Sequence, residues 1–191
     1  MKILAFAASS SSQSINQQLA RYTASQFQEA KVELLDISDY EIPLFSEDRE
    51  KELGQPELAR RFYEKITWAD ALIISFAEHN GSYTAAYKNL FDWTSRIDRK
   101  VFQSKPAIYL STSPGAGGAA NVLSAAVASA PHFGADVIAS VSVPRFYERF
   151  DAASGQVTDS GTQEELNHAV QALRRELKGK VAVASPLSDV A

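Results

Sequence analysis

The sequence predicts an α/β fold in which one five-stranded parallel sheet carries helices on both faces. Five short, almost uninterrupted apolar runs recur along the chain, as strands buried on both faces require. Amphipathic stretches with helical spacing separate them, and no run approaches the length of a membrane span. Strict alternation of strand and helix leads to parallel pairing with helices above and below. The handedness of the crossovers then leaves few topologies, of which the doubly wound sheet is the most economical.

The first run, residues 2–8, has one charge and an apolar core too short for a signal peptide, so it reads as a strand. Ser14 precedes the first helical face (Ile15, Leu19, Tyr22) and can cap it. A second strand falls at 31–37, on Val32, Leu34, Leu35 and Ile37. Residues 38–55 form a long connection whose charged stretch, Glu47 to Glu52, reads as a solvated surface loop. Leu58, Phe62 and Ile66 make the next helical stripe, 70–77 the third strand, and Tyr87, Leu90 and Phe91 another stripe. Pro106 opens the fourth strand, to residue 112, where a missing N–H is tolerated. A weaker stripe (Leu123, Ala126, Val127) leads to the fifth strand at 136–143. Leu166, Val170, Leu173 and Leu177 line the last helix. The tail 179–191, with Pro186 and several small residues, is expected to be mobile, leaving one domain at 1–178.

Composition narrows the function. Nineteen basic against 23 acidic residues give a net charge of -4, which disfavours a nucleic-acid partner. The chain has no cysteine, so thiolate nucleophiles, disulfides and iron–sulfur clusters are excluded together. The same absence fits a reducing compartment, and the expectation is a cytoplasmic protein with no membrane partner. His79, His132 and His168 show no metal-ligand spacing.

In an open parallel sheet, ligands bind beyond the carboxyl ends of the strands, and three loops there have unusual composition. The first, residues 8–16, is rich in serine at a helix N-terminus. Its hydroxyls and free N–H groups suit a terminal phosphate, or it is a flexible turn with one cap. It has neither the lysine of a P-loop nor the glycine triplet of a dinucleotide site. The second, 76–83, contains Glu78-His79-Asn80-Gly81-Ser82. It can approach a planar ligand closely, or it is a strand-to-helix turn capped by Ser82. The third, 111–120, contains Ser113-Pro114-Gly115-Ala116-Gly117-Gly118. Its exposed N–H groups can bond a heterocycle, the alternative being a tight turn.

These loops, in this order, resemble the NADPH-dependent FMN reductase family of flavodoxin-like three-layer sandwiches. That family's phosphate loop reads Gly-Ser-x-Arg-x-x-Ser-x-Asn; here Ala8, Ser9, Ser11, Ser14 and Asn16 stand at those places. Its Pro-Glu-Tyr-Asn-Gly-Ser loop corresponds to Ala77 through Ser82. The Lys-Asn-x-x-Asp-Trp that follows is matched by Lys88, Asn89, Asp92 and Trp93, and Ile42-Pro43-Leu44-Phe45 is similar to the segment after its second strand. The resemblance implies phosphate contacts from Ser9, Ser11, Ser14, Ile15 and Asn16. It implies isoalloxazine contacts from Glu78, His79, Asn80 and Gly81, and from Ser113, Pro114, Gly115, Gly117 and Gly118. Lys88, Asn89, Asp92 and Trp93 are expected to support the fold and a subunit interface, with Tyr87 and Trp93 alternatively in the core. Ala8, Ser11 and His79 depart from the usual Gly, Arg and Tyr. Without the Arg, a contact of about 1.5–3 kcal/mol is lost, so FMN is expected to bind more weakly.

The function implied is an NAD(P)H-dependent flavin oxidoreductase. It would use FMN, with NADPH or NADH as co-substrate, to reduce FMN, a quinone or a similar small-molecule acceptor. No side chain is expected to act as a catalytic acid or base, since the chemistry lies on the flavin. A homodimer or homotetramer is implied. The rival readings are a non-enzymatic flavin-binding or electron-carrier protein and a monophosphate hydrolase on the same sheet.

Overall fold

The computed structural model describes residues 1–184. Its elements are β1 (Lys2–Ala8), α1 (Ile15–Ser25), β2 (Lys31–Leu35), α2 (Glu47–Leu53), α3 (Glu57–Trp68), β3 (Ala71–Phe76), the two-residue strands β4 (Glu78–His79) and β5 (Ser82–Tyr83), α4 (Ala85–Ser95), β6 (Lys105–Thr112), α5 (Ala120–Ser129), β7 (Ala135–Val143), α6 (Phe146–Arg149), the two-residue strands β8 (Phe150–Asp151) and β9 (Gln156–Val157), and α7 (Ser160–Ala184). Short 3-10 turns follow β2 and α5. The five long strands form a parallel sheet in the order β2-β1-β3-β6-β7, a flavodoxin-like α/β fold as the sequence predicts.

Both faces of the sheet are covered, which explains the continuous apolar runs. Along β1, Ile3 and Ala5 face α1 and α7, packing with Leu19, Leu166, Val170 and Leu173. Leu4 and Phe6 face the other layer with Phe62 and Ile66 of α3 and Leu90 of α4. A one-residue slip of this strand would exchange the two sets between layers, so register is tightly specified. Pro106 is the second residue of β6, just ahead of the first pairing with β3, Leu72 with Ala107.

Two expectations are corrected. The charged stretch 47–52 is a helix, not a loop: the Ser46 hydroxyl accepts the Arg49 N–H (3.2 Å), acidic residues fill the first turn, and Gly54 at φ +67 ends it. It is nevertheless solvated, with no buried residue. The last helix also runs past the expected boundary at 178, to Ala184. Gly179 alone does not stop it, and Lys180 bonds back to Glu176 one turn earlier (3.3 Å). Residues 185–191 of the expected tail, Pro186 among them, lie outside the described residues. No helix among those described is long and apolar enough to cross a membrane.

Candidate functional site

The sheet register brings the three loops together. Ala8 pairs with Phe76, and Phe76 with Ser111, so the segments leaving β1, β3 and β6 start side by side. Strand order reverses between β1 and β3, where such sheets bind ligands.

In the first loop, Ser14 caps α1 as expected: its hydroxyl accepts the Gln17 N–H (3.2 Å). Ser9 is buried, and its hydroxyl accepts the Ser11 N–H (3.3 Å), while the Ser11 side chain is exposed. The N–H groups of Ile15 and Asn16 lie in the first helical turn, where no intrahelical acceptor exists. The Asn16 side chain, expected at a phosphate, instead points inward. Its Oδ1 accepts from the Ser75 hydroxyl (2.8 Å) and the Thr112 N–H (3.1 Å), and its Nδ2 donates to the Thr112 carbonyl (3.1 Å). A buried amide is stable only when satisfied, and the strand ends satisfy this one. Only the main chain at position 16 is left to face a ligand.

The second loop is a β-hairpin rather than a simple turn. Asn80 (φ +53) and Gly81 (φ +78) form its tip, the conformation for which Asn-Gly is favoured. His79 pairs with Ser82, so the cap of α4 is not Ser82. Thr84 takes that role: its hydroxyl accepts the Tyr87 N–H (3.2 Å) and donates to the Ala8 carbonyl (2.9 Å), fastening α4 to β1. Glu78 reaches sideways. Its carboxylate accepts the Val122 N–H (3.0 Å) and the Asn121 amide (3.3 Å) at the start of α5, where Ala119 offers no capping side chain. His79, Asn80 and Gly81 are exposed. Beneath the hairpin, Phe76, Tyr83, Tyr87 and Tyr109 meet mostly edge to face, and burial pushes the Tyr87 and Tyr109 phenols up, keeping both neutral.

The third loop divides its glycines between two tasks. Gly118, at φ +59, is packed so closely that a Cβ would lie 2.4 Å from the Ser142 hydroxyl and 3.0 Å from the Pro144 nitrogen. Its carbonyl accepts the hydroxyls of Ser111 (2.7 Å) and Ser142 (2.9 Å). Gly115 and Gly117 have open space where a Cβ would be, so nothing in the fold requires their lack of a side chain. Pro114 is exposed, and the Ser113 hydroxyl bonds the Gly115 carbonyl (3.2 Å).

The Lys88-Asn89-x-x-Asp92-Trp93 motif is a clamp. Asn89 bonds the Phe45 N–H (2.8 Å) and the Ile42 and Pro43 carbonyls (3.0 and 3.2 Å). The Trp93 indole also donates to Pro43 (2.7 Å), and Lys88 pairs with Asp92 on the outer face of α4. Trp93 and Tyr87 are core residues, so neither marks an interface. A cleft of about 410 Å³ runs beside Ser10 between this clamped segment and α4, touching Tyr40, Ile42, Ala85 and Asn89. A larger cavity of about 670 Å³ lies at the opposite, N-terminal edge of the sheet and contains no residue of the three loops. The geometric position of the loops, not cavity size, marks the candidate site.

The donor set fits a flavin mononucleotide. First-turn N–H groups and serine hydroxyls suit a phosphate, and the hairpin tip with the open Gly115 and Gly117 leaves main chain exposed. Sequence reasoning missed Ser75, Thr84, Thr112 and Ser142, which hold the loops. Their only signal is a small polar residue at the end of an apolar run.

The model of the NADPH-dependent FMN reductase family matches residues 1–148. An NAD(P)H-dependent FMN reductase of Pseudomonas aeruginosa is 44% identical over 89 residues, 47% of this chain and 46% of that protein. An NADPH:quinone oxidoreductase of Arabidopsis thaliana is 31% identical over 163 residues, 78% of each chain. Among solved structures, the flavoenzyme NAD(P)H:(acceptor) oxidoreductase FerB of Paracoccus denitrificans superposes with a TM-score of 0.73 at 26% identity, covering 93% of this chain and 97% of that one.

Proposed function

The chain belongs to the NADPH-dependent FMN reductase family, and from that premise we propose that it is an NAD(P)H-dependent flavin oxidoreductase whose acceptor is a quinone or a second flavin. Bound FMN would supply two-electron redox chemistry between the nicotinamide and the acceptor. The chain's own residues bind and orient it. The N–H groups of Ile15 and Asn16, with the Ser11 hydroxyl and the Ser9–Ser14 turn, would hold the phosphate. The main chain from Glu78 to Gly81 and from Ser113 to Gly117 would contact the ring, with Gly118 shaping the third loop.

The family match over residues 1–148 carries the choice of redox over hydrolytic chemistry, and the carboxylates of the three loops agree with it. Glu78 is the one carboxylate in residues 9–14, 77–84 and 113–119, and it is committed to the start of α5. A hydrolase on this site would lack a general base among those carboxylates, whereas hydride transfer to a flavin needs none.

The flavin-binding unit is residues 1–178, with α7 continuing past it to Ala184, a cytoplasmic setting matches the supply of nicotinamide, and the assembly is a homodimer or homotetramer. The last point rests on the family membership, and light scattering on the purified protein checks it. The visible spectrum before and after FMN addition, followed by steady-state NADPH oxidation with FMN or a quinone, tests the function. Flavin binding with catalytic turnover is expected. Binding without turnover would favour a carrier, and no binding at high micromolar FMN would overturn the reading.

A further inference from the structure

The proposed activity requires phosphate-bearing molecules to be held where the chain has almost no cations. The segments after β1, β2, β3 and β6 (9–14, 36–46, 77–84 and 113–119) contain neither lysine nor arginine. A phosphate monoester carries close to two negative charges at neutral pH, which helix N–H groups offset only in part.

The connection after β7 carries two arginines. Arg149 is already engaged, its Nη1 lying 3.2 Å from Asp159 and 3.1 Å from the Thr162 hydroxyl. Arg145 is different. Its side chain is 56% exposed, and its one ion-pair contact among the described residues is Glu148 at 3.6 Å, itself exposed. Its main chain, by contrast, is fixed to the third loop. The Arg145 N–H bonds the Gly115 carbonyl (2.9 Å), the Phe146 N–H bonds the Ser113 carbonyl (3.1 Å), and Pro144 packs against Gly118. These contacts hold Arg145 at φ +51, a left-handed conformation that a non-glycine residue keeps only where its surroundings impose it. Tyr147, 66% exposed, stands two residues on.

Resting on the function proposed above, we propose that Arg145 recognises a phosphate monoester at the edge of the third loop, either the 5′-phosphate of FMN or the 2′-phosphate of NADPH. It supplies the guanidinium that the first loop lacks at Ser11. The forked donors of a guanidinium match two phosphate oxygens, and Arg145 is the cation of the loop ends whose fork is not already bonded among the described residues.

Arg145→Asn removes the charge and keeps a residue type that tolerates the left-handed region, while Arg145→Lys returns a charge without the fork. Two ratios are measured on the full chain: affinity for FMN over riboflavin, and kcat/KM with NADPH over NADH. Each ratio compares ligands that differ by one phosphate, so a general loss of stability lowers both members alike. A charge-assisted hydrogen bond corresponds to about one to two decades of affinity, so Arg145→Asn is expected to lower at least one ratio about tenfold or more, with partial recovery in Arg145→Lys. A fall in the first ratio identifies the flavin phosphate as the ligand, and a fall in the second identifies the nicotinamide's. Both ratios within about twofold of wild type, or a wild type with no preference in either, would overturn the proposal. A wild type that neither binds FMN nor oxidises NAD(P)H overturns the functional reading instead, so the two failures are distinct.

Discussion

Replacing Asn16 by alanine separates two roles that one motif position can play. In the structure its amide closes three hydrogen bonds, to the Ser75 hydroxyl and to both main-chain groups of Thr112, at a site that is almost wholly buried. Truncation leaves the Thr112 N–H and carbonyl without those partners, at about 1–3 kcal/mol each, so a loss near 3 kcal/mol is expected. For a chain of this length that lowers the thermal midpoint by about 6–12 °C. Total stability of a typical domain is about 5–15 kcal/mol, so the variant still folds and can be titrated. Urea unfolding of the flavin-free protein gives the stability change, and FMN titration of the same samples gives the affinity. The expected pattern is a large stability loss, with affinity lowered only as far as the loosened first loop requires. A stability change below about 0.5 kcal/mol, the range of an ordinary surface substitution, together with a large loss of FMN affinity would refute this reasoning and return Asn16 to the phosphate.

Other substitutions divide along the same line. Gly118→Ala places a methyl against Ser142 and the Pro144 main chain in a left-handed residue, and a loss of about 2–4 kcal/mol in denaturant unfolding is expected. Gly115→Ala meets nothing within 4 Å among the described residues, so stability should hold within about 0.5 kcal/mol while FMN affinity falls. Glu78→Ala removes the carboxylate that caps α5, and calorimetry should register a loss of about 0.5–2 kcal/mol. Asp159 accepts the Thr162 N–H and hydroxyl at the start of α7, which holds its carboxyl below the usual value of 3.8. A lowered folded-state value contributes stability above the ordinary value that is lost as pH falls through the lowered one. The gap in thermal midpoint between wild type and Asp159→Ala should therefore narrow as pH falls below about 4, and a gap that stays constant to pH 2 would count against this cap.

The sheet was legible because its central strands β1, β3 and β6 are buried on both sides, which leaves apolar runs that composition alone reveals, while the edge strands β2 and β7 are only partly buried. The helical character of 47–52 was not, since α2 buries nothing and shows no apolar stripe. Its signal was only Ser46 before an acidic turn and Gly54 after it. The three loops were legible as loops from Ser, Asn-Gly and Pro-Gly content. Their internal wiring was not, because Glu78 and Val122, or Asn16 and Thr112, are far apart in sequence, and nothing local says that a polar side chain will be spent on a distant backbone. Arg145 was missed for the same reason: its nearness to the third loop comes from the pairing of β6 with β7.

That wiring also explains why a phosphate loop can lose its arginine and keep its shape. The conformation of residues 9–16 is set by Ser14 on the Gln17 N–H, Ser9 on the Ser11 N–H and the buried Asn16 amide, none of which involves the side chain at position 11. The donors that remain for a ligand are largely main-chain N–H groups, whose directions follow from the helix start rather than from any particular side chain. Charge is then the one property of the loop free to move, and it need only return from a residue fixed in place nearby. Arg145 is fixed by hydrogen bonds to the third loop's own carbonyls, so its main chain and the Gly115 main chain are positioned together. Shape and charge are thus separable in this site: substitutions at Ser11 should alter affinity without altering stability, whereas substitutions at Asn16 should act first on stability and on affinity only through the loosened loop.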